Sequence, residues 1–249
     1  MKFLFDLGGV FFDWDPNYFF KDIFDNYDER KYFLNQVCND EWNLKQDCGR
    51  TIKEAESELI PKFPKYEKQI KMYYTNHRRM IVKTFDLSIK ILKKLKSLNF
   101  NCYVLSNWSA ETFKGMIEDY PFLNSFDGLI ISGEHKLVKP DNAIYDLAIR
   151  RFNLIPNETV FIDDKLENII AAKDQQLDTL HGSILSKKIQ ETVETSNMDL
   201  MLNITASDET NLLASMEYAD MFGENHVLRL YPKDRKKDLF TKQNKQDFL

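Results

Sequence analysis

The chain has 249 residues, of which 43% are apolar and 13% aromatic, enough to bury the core of one large domain or of a domain with an insertion. A formal net charge of −5 argues against a general nucleic-acid or anionic-membrane surface. The three cysteines, Cys38, Cys48 and Cys102, contain no Cys-x-x-Cys pair, so neither a disulfide framework nor a zinc site is indicated. No apolar run reaches the roughly 18 residues of a membrane span, and the N-terminus opens on a strand rather than a basic leader, so a soluble cytoplasmic protein is expected.

The first predicted element is a buried strand, Phe3-Leu4-Phe5, that delivers Asp6 to the glycine pair Gly8 and Gly9. Asp6 is thereby a candidate nucleophile or metal ligand at a strand's carboxyl end, where α/β sheets place their ligand crevice; Asp-Leu-Gly-Gly also reads as a simple turn. From Pro16 the pattern turns helical. Apolar residues recur at three- and four-residue spacing near Tyr18 to Phe24, Lys31 to Cys38, Thr51 to Ile60 and Tyr66 to Arg79, with no convincing strand between 16 and 84. This predicts a helical insertion at 15–84, placed after the first strand.

Alternation begins after it. Leu87 to Leu98 reads as an amphipathic helix, and Cys102 to Leu105 as a strand running into Ser106-Asn107-Trp108, with a helix from Ser109. Gly128 to Ser132 is a strand, Lys139-Pro140-Asp141 opens a helix, and Thr159 to Ile162 is a strand ending at Asp163-Asp164, before a helix around Asn168 to Ala172. Strands alternating with helices of this length predict an α/β fold, a Rossmann-like parallel sheet formed by 1–14 and 85–182. Four polar constellations then fall on one edge of that sheet: Asp6, Ser106, Lys139, and Asp163 with Asp164.

Together these residue types suit phosphoryl transfer. A carboxylate that attacks phosphorus divides a hard step into two, and the meeting of two anions calls for cations. Asp6, Asp163 and Asp164 would hold Mg2+, which favours a few carboxylates, water and substrate phosphate. Lys139 would add a second positive charge, and Ser106 a hydroxyl donor to a phosphate oxygen.

The segments Phe-Asp-Leu-Gly-Gly-Val, Leu-Ser-Asn-Trp-Ser, Ser-Gly-x5-Lys-Pro-Asp and Phe-Ile-Asp-Asp-x3-Asn, in this order, resemble the four motifs of the haloacid dehalogenase-like (HAD) hydrolases, over roughly 1–182, with the helical insertion where that family carries a cap. The resemblance implies Asp6 as nucleophile, Ser106 as phosphate donor, Lys139 as charge-stabilising lysine, and a metal site of Asp6, Asp163, Asp164 and the Gly8 carbonyl. It implies a Mg2+-dependent phosphatase of a small phosphorylated metabolite, such as a sugar phosphate, working through an aspartyl-phosphate. Where the family's phosphatases usually carry an acid–base aspartate, this chain has Gly8. That points either to a substrate whose leaving group needs little protonation or to substitution by Asp13 or Asp15, although the commoner role of such aspartates is to cap a helix, here the first of the insertion. The alternatives are metal-independent 2-haloacid dehalogenation and a catalytically weak scaffold with a binding role.

Within the insertion, Trp42-Asn43 and Asp47-Cys48-Gly49-Arg50 resemble cap segments of a HAD subgroup. Arg50 suits a substrate's anionic end or an ordinary ion pair, Trp108 the pocket or the core, and Asn107 and Asn168 the support of site loops. The isolated His77, His135, His181 and His226 receive no role. Beyond 183 lies an extension. Its residues 198–232 read as strand, helix and strand and resemble a fragment of a Trk/RCK-type nucleotide-binding domain, without the Gly-x-Gly-x-x-Gly of a phosphate cradle, and 233–249 is a polar tail. Neither the exact substrate nor the oligomeric state is legible.

Overall fold

The computed structural model describes residues 1–179, together with the backbone of 201–203 and 227–229. The chain divides into two compact units, Met1–Leu180 and His181–Leu249. In the first, β1 (Lys2–Phe5) is followed by β2 (Phe12–Trp14), and then by the short helices α1 (Asn17–Phe20) and α2 (Tyr27–Tyr32). Next come α3 (Asp40–Asp47), α4 (Ile52–Leu59) and α5 (Glu67–Thr75), and β3 (Ile81–Thr84) closes the insertion. Then follow α6 (Asp86–Ser97), β4 (Asn101–Ser106), α7 (Ala110–Phe113), α8 (Met116–Asp119), β5 (Gly128–Ile131), α9 (Ser132–His135), α10 (Asn142–Phe152), β6 (Thr159–Ile162) and α11 (Leu166–Asp174).

The main sheet has the order β5-β4-β1-β6, all parallel. Its central strand explains its own sequence: Phe3, Leu4 and Phe5 are all buried, as they must be when both faces of the sheet are covered. One face packs Leu4, Leu105, Ile130 and Phe161 against Ile144, Tyr145 and Ala148 of α10 and Ala172 of α11. On β1's other face the packing is aromatic, with Phe5 in edge contact with Phe11 and Phe126. Because the chain runs outward from β1 to β4 and β5 and then returns to β6 on the opposite side, β1 lies at the point where the strand order reverses. Ligand crevices of such sheets open outside the carboxyl ends of the strands there, and Asp6 is the first residue beyond β1.

The helical insertion has a core of its own. Phe19, Phe20, Phe33, Val37, Trp42, Ala55, Ile70, Tyr73 and Met80 form one buried cluster, drawn from α1, α3, α4, α5 and the segments between the helices. Two features here were not expected. Ile81–Thr84 is a strand, paired antiparallel with β2, so the insertion is entered and left through a two-stranded ribbon. Asp40–Asp47 is a helix that the apolar spacing did not announce.

At the far edge of the main sheet, among the described residues, Asp178 pairs through one parallel bridge with Val160. In the second unit, Met201–Asn203 (β7) and Val227–Arg229 (β8) are parallel partners, inside the two strands expected there. The helix expected between these strands and the tail 233–249 lie outside the described residues.

Candidate functional site

The parallel sheet brings Asp6, Ser106, Lys139, Asp163 and Asp164 together, each from the segment at or beyond a strand's end. The Asp6 main-chain N–H donates to Ile162 O at 2.8 Å, which ties the end of β1 to the end of β6. Lys139 is 2% exposed, and its Nζ sits 3.0 Å from Asp6 Oδ1 and 2.5 Å from Asp163 Oδ2. The contact with Asp6 is an ion pair without the alignment of a directed hydrogen bond, whereas Lys139 donates a true hydrogen bond to Asp163. Asp163 is further held by the Asn168 amide, at 2.9 and 3.0 Å, and by the Lys165 N–H at 2.9 Å. Lys139 is positioned from its backbone as well, since Asn107 donates to its carbonyl at 2.9 Å and accepts from its N–H at 2.8 Å. The Lys139–Pro140 peptide is cis.

Charge is crowded here. Burial pushes the Asp6 carboxyl up, Lys139 pulls it back, and Asp163 pushes it further up; the carboxyl ends above its ordinary value. Burial works against the Lys139 ammonium, yet the carboxylates of Asp6 and Asp163 outweigh it and hold the lysine above its usual range. Asp164 is pushed up to about 6 by burial and by Asp6 and Asp163. Lys139 therefore pairs with two of the three carboxyl groups, and Lys165 is the cation acting on the third, Asp164. Carboxylate oxygens of Asp6, Asp163 and Asp164 all lie within 4.8 Å of one another, and Asp6 Oδ1 accepts no directed hydrogen bond. Hard oxygen donors at that spacing fit a divalent cation of the Mg2+ kind, which would also relieve the repulsion. Ser106, 1% exposed at the end of β4, lies close enough to Asp6 to favour the carboxylate but makes no directed hydrogen bond.

The two glycines have different reasons. At Gly9, with φ +67°, an added Cβ would come within 2.3 Å of Asp164 Oδ2, so only glycine lets that carboxylate approach. At Gly8 a Cβ would meet only Asp6 Oδ2, at 3.9 Å. The position beside the Asp6 carboxylate is open, and no side chain fills it.

Two expected members are not brought to this cluster. Arg50 is held within the insertion: Nε donates to Gln46 Oε1 at 2.6 Å, one terminal nitrogen to Trp42 O at 3.0 Å, and the other to Glu58. Trp108 is packed among Phe12, His77 and Phe113, 6% exposed, and belongs to the core. Nor do Asp13 and Asp15 face the site. Asp13 accepts from Tyr18 at 2.8 Å and pairs with Lys83, and Asp15 accepts from the Asn17 N–H at 2.7 Å at the start of α1. His77 is buried and driven down to about 4, so it is neutral at physiological pH.

A carboxyl group that motif reading did not assign a role stands near the cluster. Asp47 ends α3, and its carbonyl accepts the Ser132 hydroxyl at 2.6 Å, while the same hydroxyl accepts from the Trp108 N–H at 2.9 Å. Its carboxyl is pushed up to about 7 by burial, against Lys165 and the Ser109 N–H, with Asp6 adding to the rise and Lys139 opposing it. The signal available in the sequence was the Asp47-Cys48-Gly49-Arg50 segment alone.

A model of haloacid dehalogenase-like hydrolases matches residues 4–181, and a TrkA-N domain model matches 148–245, overlapping its end. A sesquiterpene phosphatase of Aspergillus oryzae is 28% identical over 189 residues, 72% of this chain and 87% of that protein. A phosphorylated carbohydrates phosphatase of Thermotoga maritima is 22% identical over 144 residues, 58% of this chain and 56% of that protein. Among solved structures, a HAD family enzyme of Bacteroides thetaiotaomicron in complex with magnesium and inorganic phosphate superposes with a TM-score of 0.55 at 26% identity, over 72% of this chain and 92% of its own. With the family model spanning most of the chain and the parallel sheet gathering all four motif segments at one edge, the protein belongs to the haloacid dehalogenase-like hydrolases.

Proposed function

We propose that this hydrolase is a Mg2+-dependent phosphatase of a small phosphorylated metabolite, a sugar phosphate or a compound of similar size, with Asp6 as its nucleophile. The observation that carries the reading is Lys139, fully buried and held between Asp6 and Asp163 while a third carboxylate, Asp164, stands within metal-sharing distance. A buried lysine between two carboxylates is costly unless the site serves charge chemistry. The phosphatase relatives and the magnesium and phosphate in the Bacteroides enzyme support the same class.

In this mechanism Asp6 attacks phosphorus, its Oδ–P bond forms as the bond to the leaving oxygen breaks, and water then releases phosphate and regenerates the carboxylate. Lys139 opposes the rise that burial imposes on the Asp6 carboxyl and faces the negative charge that develops on the phosphoryl oxygens. The Ser106 hydroxyl, free of a directed partner, is available to a phosphoryl oxygen. Asn107 and Asn168 act through Lys139 and Asp163 and are positioning residues. A bound Mg2+, held by Asp6, Asp163, Asp164 and the Gly8 carbonyl, would supply neutralisation of the phosphoryl charge. The helical insertion would act as the cap over the substrate.

Dehalogenation by the same nucleophile needs no metal, and the Asp163-Asp164 pair speaks for the phosphatase. The TrkA-N match favours a second reading of the C-terminal region as a binding or regulatory module. Hydrolysis of 4-nitrophenyl phosphate and a panel of sugar phosphates, with and without Mg2+, tests the proposal. The expected outcome is metal-dependent turnover that Asp6→Asn lowers by at least about 10⁴-fold. Turnover untouched by Asp6→Asn sinks it.

A further inference from the structure

Gly8 leaves the reaction without a proton donor where the family's phosphatases usually carry one, and the nearby Asp13 and Asp15 are engaged elsewhere. We propose that Asp47, brought by the helical insertion to the carboxyl edge of the sheet, is the general acid and base of the hydrolysis, doing from α3 what Gly8 cannot do from the loop after β1. This rests on the phosphatase reading above.

The placement is built into both sides of the contact. Ser132 at the end of β5 donates to the Asp47 carbonyl and accepts from the Trp108 N–H, so one hydroxyl locks the end of α3 to the loop after β4. The Ser109 N–H, from the same loop as Ser106 and Asn107, is among the groups that oppose the rise of the Asp47 carboxyl. The next residues are seated as closely. Cys48 Sγ lies 3.4 Å from the Lys136 carbonyl, and a Cβ on Gly49 would come within 3.0 Å of the Gly133 carbonyl and closer still to the Lys136 side chain. On its own helix, Asn43 is 3.4 Å from Asp47 Oδ2 and accepts from the Tyr74 hydroxyl, which in turn bonds buried Gln46. The end of α3 is thereby anchored to the loops of the sheet edge, with the carboxyl held on its own helix by Asn43.

The charged groups acting on it are Lys165, Asp6 and Lys139, so it shares the electrostatic surroundings of the nucleophile. Of the elements packed on α3, α9 carries Glu134 and His135 with Lys136 just beyond, and α4 carries Glu54, engaged with Thr51, and Glu58, engaged with Arg50. Burial holds the carboxyl near 7, where it is partly protonated at neutral pH, the condition a general acid needs. As the bond from phosphorus to the leaving oxygen breaks and Asp6 becomes phosphorylated, the Asp47 proton passes to that oxygen and an alcohol departs. The Asp47 carboxylate then takes a proton from water as the water oxygen attacks phosphorus and the Asp6 Oδ–P bond breaks. Phosphate leaves, and both carboxyl groups return to their starting states.

The test compares two substrates with different demands for a proton, 4-nitrophenyl phosphate, whose leaving group departs as the anion, and glycerol 3-phosphate, whose alkoxide cannot. Single-turnover phosphorylation by wild type and Asp47→Asn is followed with both at saturating Mg2+. Asp47→Asn is expected to slow glycerol 3-phosphate about 10²–10⁴-fold while slowing the aryl phosphate less than about tenfold. In the wild type the alkyl rate is expected to fall above about pH 7 while the aryl rate does not, and this profile decides the matter if the variant does not fold. Equal losses on both substrates, as a merely structural role would give, or matching pH profiles overturn the assignment while leaving the phosphatase reading intact. Absence of Mg2+-dependent wild-type turnover of either phosphate overturns both.

Discussion

At the carboxyl edge of the sheet Lys139 is buried between Asp6 and Asp163, and in the helical insertion Gln46 is equally buried between Tyr74, Trp42 and Arg50. The second network closes on itself: the Gln46 amide donates twice, its oxygen accepts from Arg50, and the remaining arginine charge meets Glu58. The first does not close. Three carboxyl groups crowd together with Lys139 paired to only two of them, Asp6 Oδ1 and the Ser106 hydroxyl lack directed partners, and Asp6 and Asp164 are pushed above their ordinary values. A satisfied polar network holds a fold together, and an unsatisfied one waits for a ligand. The difference between these two networks supports the proposed reactive role of the sheet edge, with the Gln46 network as scaffold.

Lys139→Met gives the largest expected effect on that contrast. It leaves Asp6 and Asp163 buried without their cation, and breaking such a pair costs about 3–5 kcal/mol, read by urea unfolding, together with loss of turnover. Addition of Mg2+ should next raise stability, by about 2.7 kcal/mol at a hundredfold excess over its dissociation constant. The thermal shift should vanish in Asp163→Asn. A stabilisation that survives that substitution would place the cation elsewhere. Gly9→Ala should be smaller, about 1–2 kcal/mol for a side chain in the left-handed region, with a raised Mg2+ requirement because Asp164 must move away from the new Cβ.

Much of this site was readable because its residues follow buried strands. Phe3-Leu4-Phe5, Val104-Leu105 and Val160-Phe161 are apolar runs that end on Asp6, Ser106 and Asp163, and a parallel sheet aligns such ends without further information. The insertion was less legible. On α3 only Trp42 and Gln46 are buried, so no apolar stripe announces a helix. In β3, Val82 is 57% exposed, and the strand exists because β2 pairs with it. Arg50 was legible as a cation with an ordinary ion pair as one of its two readings, but its partners were not, since Gln46, Glu58 and the Trp42 carbonyl reach it only once α3 and α4 have packed. The same holds for Asp47, whose surroundings come from Ser109, Ser132 and Lys165, all more than 60 positions away in the sequence.

Asp47 lets the contrast be sharpened through pH, because it belongs to the insertion yet shares the sheet edge's charge. Its carboxyl rises from an ordinary 3.8 to about 7 on folding, chiefly by burial, so the folded chain binds a proton that the unfolded chain has released. The stabilisation this group contributes is complete below about pH 4 and is lost as pH rises through 7; above that, the buried carboxylate is a fixed liability. Asp47→Asn removes the liability and keeps the shape, so it should gain stability relative to wild type as pH climbs from 4 to 8, with no such gain at pH 4. Urea unfolding of both proteins across that range, without Mg2+, measures it. A difference that stays constant with pH would mean that the carboxyl titrates as it does in water, and that the end of α3 stands open to solvent rather than closed over the Asp6 edge.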